Sequence, residues 1–281
     1  MSREENVRIF NDTEAFCREN SRLAAAIGDT IANTTLYRAG EVSEIPEGKF
    51  EDTEISVTKQ RSFEAARELC EKYPESRIAV HNFASATNPG GGVTRGSSAQ
   101  EESLCRCSTL YPALNTKFLF EEYYSFHRKR NDARYTDAVI YTPDILVFKN
   151  DFGRMERLPE SEWISVDVIT CAAPNLRENP SNPMNPDGGT IALKLSQSEL
   201  LDIHKQRARK MLSCAAANGA EVVVLGAFGC GAFRNDPFVV SRAYKEVLPE
   251  FKGHFREIRF AVYCPPADST NFNAFSRTLS R

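Results

Sequence analysis

The chain has 281 residues, with 35 Lys+Arg against 38 Asp+Glu for a formal net charge of −3, and 41% of its residues are hydrophobic. That balance excludes disorder over most of the chain and argues against a broad basic surface for nucleic acid. The length suits one large domain or two modest ones, with a core that needs no disulfide or metal staples. Eight scattered cysteines form no Cys-x-x-Cys pair, and the charged start has no apolar stretch behind it. The longest apolar run, 222–233, is interrupted by Gly226, Gly229 and Gly231. These features predict a soluble, cytoplasmic protein with no membrane span.

In chain order, Val7, Phe10, Phe16, Leu23 and Ile27 recur at roughly helical spacing. They predict a polar helical segment within the first fifty residues, capped or broken at Asn11, Asp12 or Thr13. A turn-rich stretch, 40–48, leads into 54–58, whose alternation predicts a half-buried strand. A helix is expected over 62–73, stopped by Pro74, and a buried strand over 77–83. Further strands are expected at 138–141, 145–148, 164–171, 222–225 and 258–263. Further helices are expected at 99–111, 117–129, 198–218 and 237–247. Strands separated by helices argue for an α/β fold with helices on both faces of the sheet. The Pro/Asn-rich stretch 174–189 reads as a surface loop that could cover a site.

Two glycine loops stand out. Behind the strand at 77–83 comes Gly90-Gly91-Gly92, and then Gln100-Glu101-Glu102 at the start of a helix that Ser97 or Ser98 could cap. Three glycines after a strand permit positive φ and bring bare backbone N–H groups close to a ligand, although they also fit a plain flexible turn. Acidic residues in a first helical turn complement the helix dipole and need no catalytic role. Next to a glycine cradle, however, they lie within reach of whatever it holds. Because neighbouring helical residues point about 100° apart, the two carboxylates can serve different jobs. The second loop, Gly226 to Asn235, follows the strand at 222–225 and precedes a helix with Asp236 as cap and Pro237 at its first position. Arg234 stands where a dinucleotide-binding loop needs its third glycine, and neither loop ends in the Gly-Lys-Ser/Thr of a P-loop. Two uncharged loops at strand ends suit a diphosphate held by backbone N–H groups, with Phe233 packing on a ribose.

The run Asn82-Phe83-Ala84-Ser85-Ala86-Thr87-Asn88-Pro89-Gly90-Gly91-Gly92, followed after seven residues by Gln100-Glu101-Glu102, resembles the signature of the bacterial-type poly(ADP-ribose) glycohydrolases. Gly226 to Phe233 resembles that family's second phosphate loop, and the likeness runs from about Thr30 to near the C-terminus. The resemblance implies a macrodomain-like three-layer α/β/α sandwich with a mixed sheet. Residues 1–50 would be an N-terminal helical extension and 51–281 the glycohydrolase domain. It also implies hydrolysis of the ribose–ribose O-glycosidic bonds of poly(ADP-ribose), releasing ADP-ribose without metal or cofactor. By position, Glu102 is then the catalytic acid and base, and Glu101 holds ribose hydroxyls. Gly90, Gly91 and Gly92 cradle the diphosphate together with Gly229, Cys230, Gly231 and Ala232. Phe233 shapes the distal ribose position, and Asn88 and Gln100 are polar contacts. Glycoside cleavage needs a proton for the leaving group and stabilisation of a cationic transition state, both of which carboxylates supply. A helix N-terminus lowers a carboxyl pKa, so burial, Glu101 and the substrate's diphosphate must outweigh the dipole at the acid.

Two rivals share this cradle. One is a hydrolase of mono(ADP-ribosyl) groups on protein or nucleic acid, and the other is a module that binds ADP-ribose without cleaving it. A nucleotide triphosphatase is weakened by the missing P-loop lysine. Cys105 and Cys107, about 200° apart on a helix, cannot share one metal ion. His81 reads as a packed core residue, and Cys230 as a small residue filling a tight loop. The basic run from His127 to Arg130 reads as a solvated helix end that could contact an anionic polymer, and Arg207, Arg209 and Lys210 as a solvated helix face.

Overall fold

The computed structural model describes residues 1–41, 43–183 and 186–279, so Met184 and Asn185 of the expected 174–189 loop lie outside the described residues. Ser2 and Glu5 form a capping box that opens α1 (Arg3–Glu19). Asn20 then ends α1 and caps α2 (Ser21–Asn33), accepting from the Leu23 N–H at 3.1 Å. The expected break at Asn11, Asp12 or Thr13 therefore falls at Asn20 instead. Thr13 is buried within α1 and donates its hydroxyl to the Arg106 carbonyl at 2.5 Å, a long-range bond that a local reading does not reveal. The first fifty residues are also not wholly helical, because Thr35–Tyr37 forms β1 and pairs antiparallel with the sheet.

The strands that follow are β2 (Glu54–Thr58), β3 (Ile78–Phe83), β4 (Val139–Val147), β5 (Ile164–Cys171), β6 (Val222–Leu225) and β7 (Glu257–Ala261). Among the described residues they form one mixed sheet in the order β1-β4-β5-β3-β6-β7-β2. The β5-β3-β6-β7-β2 portion is parallel, and β4 runs antiparallel to β1 and β5. The two strands expected at 138–141 and 145–148 are a single strand. Its register shifts between Thr142 and Ile145, where Asp144 takes φ 55°. That bulge accommodates Pro143, which has no N–H to give to a ladder.

The helices are α3 (Ser62–Lys72), α4 (Gln100–Cys107), α5 (Leu110–Leu114), α6 (Lys117–Leu119), α7 (Ser125–Arg130), α8 (Gln197–Ala217), α9 (Pro237–Val247) and α10 (Thr270–Leu279). The helix expected over 99–111 is split into α4 and α5. Ser108 pairs with Val147, and the Thr109 N–H donates to the Leu146 carbonyl, so the strand draws these backbone groups out of the helix. Between α6 and α7 the chain makes a π-helical turn, Phe120–Tyr124, where one continuous helix was expected.

Strand side chains alternate between two cores, as a period of two requires. Ile78, Val80, Val222 and Val224 face a core shared with Phe63, Leu69, Leu104, Leu110 and Tyr123. Ala79, Val223 and Leu225 face the other, with Met211, Leu212, Val240, Tyr244 and Phe275. This is the three-layer α/β/α sandwich the sequence predicts. Of the helix face expected to be solvated, only Arg209 is exposed, and it grips Glu250 at 2.7 Å. Arg207 and Lys210 are buried because backbone carbonyls of Arg134, Arg38 and Glu41 accept their charged groups. No helix among the described residues is long and apolar enough to cross a membrane.

Candidate active site

Parallel pairing brings the carboxyl ends of β3, β5, β6 and β7 to one edge of the sheet, where ligands bind in open α/β folds. A cleft of about 700 Å³ opens there, lined by Phe83, Ala84 and Ser85 after β3, Ala173 after β5, Ala227 to Gly229 after β6, and Val262 and Tyr263 after β7.

The first glycine loop wraps the two carboxylates. Ala99 caps α4 with no side-chain bond, so neither Ser97 nor Ser98 caps it as expected; the Ser97 carbonyl instead accepts from Arg106 Nη1 at 2.6 Å. Glu101 and Glu102 lie in the first turn and are almost wholly buried, at 3% and 6% exposure. Glu101 accepts from the Ser85 N–H at 2.7 Å and from Asn82 Nδ2 at 3.3 Å, so both of its oxygens are occupied. The Gly90 N–H is a further donor to it. Burial first, and the neighbouring Glu102 charge second, push the Glu101 carboxyl well above the usual range against these donors. Glu102 accepts from the Gly92 N–H through Oε1 at 2.9 Å, while its buried Oε2 has no hydrogen-bond partner among the described residues. The loop can approach this closely only as glycine. Gly91 has φ 60°, and a Cβ there would stand 2.5 Å from Glu102 Oε1.

The amides of this loop are consequently spent within the protein. Gly90 donates to Glu101, Gly91 to the Asn88 carbonyl at 3.0 Å, and Gly92 to Glu102. The loop's outer flank is held by Arg128, which donates to the Thr87 carbonyl and to Asn88 Oδ1, each at 2.7 Å. Arg128 thus departs from the solvated helix end expected for it.

The second loop is built differently. Its Cys230, Arg234 and Asn235 amides donate within the loop, but the N–H groups of Gly231, Ala232 and Phe233 have no acceptor among the described residues. Arg234 ends the loop at φ 58°, and backbone N–H groups of this kind on a cleft wall are donors suited to an anion. Asn235, buried at 2% exposure, anchors the loop. Its Nδ2 donates to the carbonyls of Pro174 at 2.8 Å, Phe233 at 3.1 Å and Gly229 at 3.2 Å. Because that amide nitrogen is fully used as donor, its Oδ1 accepts from His204 Nε2 at 2.8 Å, which fixes the proton on that ring nitrogen. Burial lowers the His204 pKa to about 3, so the ring is neutral at ordinary pH. Gly229, at φ 75°, packs so tightly that a Cβ would fall 2.5 Å from Ala173 Cβ. Phe228 underlies the loop, with its ring 4.5 Å from His81, which is the packed core residue expected.

Of the expected site residues, the structure gathers Glu101, Glu102, Gln100, Gly91, Gly92, Gly229, Gly231, Ala232 and Phe233 on the cleft wall; Asn88, Gly90 and Cys230 stand behind it. Gln100 is committed to the scaffold, accepting from the Phe83 N–H at 2.9 Å and donating to the His81 carbonyl at 2.7 Å and to Ser62 Oγ at 3.0 Å. The Cys230 thiol is raised by burial and turned to the Phe228 carbonyl. Among the described residues no group of His, Cys, Asp and Glu is arranged to hold a metal ion. The sequence reading missed Asn235, His204 and the far end of the cleft, where the Arg61 guanidinium lies 3.8 Å over the Tyr263 ring and Asp151 caps α3 through the Phe63 N–H. The one local signal for Asn235 is its place between a loop and the Asp236-Pro237 helix start.

The family described as "Microbial-type PARG, catalytic domain" matches residues 4–150. A search of curated proteins finds no match. Among solved structures, a poly(ADP-ribose) glycohydrolase from Thermomonospora curvata is 29% identical with a TM-score of 0.85, over 98% of this chain and 100% of that one. The same enzyme bound to the inhibitor ADP-HPD is likewise 29% identical, with a TM-score of 0.80 over 98% and 99% of the two chains. The poly(ADP-ribose) glycohydrolase of Deinococcus radiodurans in complex with ADP-ribose is 35% identical, with a TM-score of 0.74 over 90% of this chain and 97% of that one. With the family match spanning more than half of its length and this enzyme's structure aligned over nine-tenths of it, the chain belongs to the microbial-type poly(ADP-ribose) glycohydrolases.

Proposed function

We propose that the chain hydrolyses the ribose–ribose O-glycosidic bonds of poly(ADP-ribose), releasing ADP-ribose, with Glu102 as the acid and base. The observation that carries this assignment is Glu102, a buried carboxyl of the cleft wall whose Oε2 has no hydrogen-bond partner among the described residues. A buried polar atom without a partner is costly, and a substrate group in the cleft beside Glu102 would supply one. Protonated Glu102 gives its proton to the departing oxygen as the anomeric C–O bond breaks and the bonding electrons move to that oxygen. The ionised carboxylate then takes a proton from the water whose oxygen bonds to the oxocarbenium carbon, restoring the acid. Glu101, held by Ser85, Asn82 and Gly90, presents a fixed carboxyl beside the ribose.

The free amides of Gly231, Ala232 and Phe233 are the diphosphate seat in this reading, with Gly229 and Cys230 shaping it and the Phe233 ring against the distal ribose. Gly90, Gly91 and Gly92 orient the carboxylates and shape the wall, while Asn88 and Gln100 hold that loop in place. Residues 51–281 carry the site, and residues 1–50 give β1 to the same sheet and brace α4 and the loop before it through the bonds from Thr13 to the Arg106 carbonyl and from Asn6 Nδ2 to the Gly96 carbonyl. The function of such a protein fits the cytoplasm.

Incubation with labelled polymer tests the reading. The wild-type chain releases ADP-ribose, and Glu102→Gln lowers the rate about 10²–10⁴-fold while ADP-ribose binding persists. A wild-type chain that binds ADP-ribose and releases none from polymer would reduce the assignment to a binding module. Release confined to singly modified protein would shift it to mono(ADP-ribosyl) hydrolysis.

A further inference from the structure

We propose that the outer face of the arm formed by α6, the π-helical turn and α7 is a second polymer-contact surface. It takes adenine and diphosphate groups of poly(ADP-ribose) units beyond the terminal one in the cleft. The inference rests on the polymer-hydrolysis reading above.

The arm exposes three phenylalanines, Phe118 at 50%, Phe120 at 38% and Phe126 at 43%, while Leu119, Tyr123, Tyr124 and His127 fill the interior. The π-helical turn rotates the chain so that two successive tyrosines, Tyr123 and Tyr124, both face inward and the phenylalanines are left outside. Three exposed rings on one short arm leave more apolar surface in water than an ordinary solvated helix does, as contact surfaces do. Two of these rings carry cations, with the Arg128 guanidinium 5.0 Å from the Phe120 centroid and that of Arg130 5.8 Å from Phe126. Rings interleaved with guanidinium groups stack bases and attract phosphates without reading sequence.

The charge on the arm is complementary to a polyanion. Its two exposed carboxylates already have cations, Glu121 facing Lys117 at 3.9 Å and Glu122 facing Arg38 at 2.7 Å. Arg130 lies 3.8 Å from Asp132, and exposed Lys129 forms no ion pair among the described residues. On a chain of net charge −3, this is a local reversal of sign. The surface also adjoins the site, since Arg128 fastens the arm to Thr87 and Asn88 at the base of the first glycine loop, and its remaining charge faces Asp187 at 3.4 Å. Each further unit of the polymer brings one flat base and one diphosphate, which is the pairing of groups that this face offers partners for.

The test uses the full chain carrying Phe126→Ser, Lys129→Glu and Arg130→Glu, none of which lines the cleft, with Phe126→Ser alone as a milder variant. For long poly(ADP-ribose), KM rises about tenfold in the triple variant, the loss expected from one stacked base and its phosphate contacts. The slope of log kcat/KM against log salt becomes shallower by about 1–2. The Kd for ADP-ribose and kcat stay as in wild type. An unchanged polymer KM and salt slope would overturn the proposal. A loss of ADP-ribose affinity parallel to the rise in KM would also overturn it, by marking a structural effect on the loop. Binding of labelled polymer in a Glu102→Gln background separates this inference from the hydrolysis reading, because it reports on the arm even if the wild-type chain releases no ADP-ribose. A chain that holds single-stranded RNA more tightly than poly(ADP-ribose) would overturn the choice of occupant.

Discussion

The two glycine loops occupy equivalent places at the ends of neighbouring parallel strands, β3 and β6, and do opposite things with their backbone. In the first, the amides of Gly90, Gly91 and Gly92 point inward and are consumed by Glu101, the Asn88 carbonyl and Glu102. In the second, the amides of Gly231, Ala232 and Phe233 have no acceptor among the described residues. One loop positions acids and the other offers donors to an anion, although both begin as a strand followed by glycines. The difference lies in what each loop meets. The first folds over the α4 first turn and its two carboxylates. The second is tied down from behind by Asn235, which donates to the Gly229 and Phe233 carbonyls and is itself held by His204, while the amides of Gly231, Ala232 and Phe233 have no acceptor among the described residues. Composition alone does not make a phosphate loop, because an amide next to a buried carboxylate is no longer available to a ligand.

Substitutions that separate the two loops can break or sharpen this contrast. The largest effect is expected from Gly91→Ala. Its Cβ would push against Glu102 Oε1, and misplacing the acid should lower kcat about a hundredfold with ADP-ribose affinity nearly kept. If ADP-ribose affinity fell as far as kcat, the first loop would be a binding element as well. Next is Asn235→Ala, which leaves the Pro174 carbonyl and His204 without their partner and takes one of two donors from the Gly229 and Phe233 carbonyls. Denaturant unfolding should show a loss of about 2–3 kcal/mol, accompanied by weaker ADP-ribose binding. Full stability in that variant would remove Asn235 as the anchor. Gly229→Ala combines a positive φ with a clash against Ala173, and calorimetry should record roughly tenfold weaker ADP-ribose binding with the pH dependence of kcat unaltered.

The smallest effect concerns Glu101. Its pKa is raised in the folded chain by burial and by Glu102, so the folded protein keeps a proton that the unfolded chain releases. This group's contribution to stability is complete below the ordinary carboxylate range and falls as pH rises from there through the raised value. Glu101→Gln removes that decline. His81 and His204, both lowered to about 3 by burial, act in the other sense, since stability is lost as pH falls from the ordinary histidine range toward 3. Both variant and wild type keep the histidine contribution, so the difference between their stability–pH curves isolates Glu101. Superimposable curves would mean that Glu101 is no strained carboxyl.

Much of this architecture is legible in the residue order. The strand at 164–171, the strand at 222–225 and the helix at 237–247 fall on their expected bounds, because unbroken apolar runs and the Asp236-Pro237 start are strong local signals. The glycine-rich motif and its Glu-Glu pair are likewise visible as a site. What was not legible depends on contacts between distant positions. β1 spans only Thr35–Tyr37 and is a strand because β4 is beside it. The helix expected over 99–111 breaks at Ser108 and Thr109 because β4 accepts and donates hydrogen bonds there. Arg207 and Lys210 look like surface charges until backbone carbonyls of the 134 and 38–41 segments close over them.

The sequence by itself determined the alternation of strands and helices, the two loops and the acids between them, since periodicity, turn chemistry and spacing are local properties. Only the tertiary structure decided which loop keeps its amides for a ligand and which of two adjacent glutamates keeps a free oxygen. Those outcomes hang on hydrogen bonds from Ser85 and Asn82 to Glu101, from Gly92 to Glu102, and from Asn235 to Pro174, sixty-one positions away. A donor held by one partner is less available to a ligand, and its partner is chosen by where the fold brings the chain together.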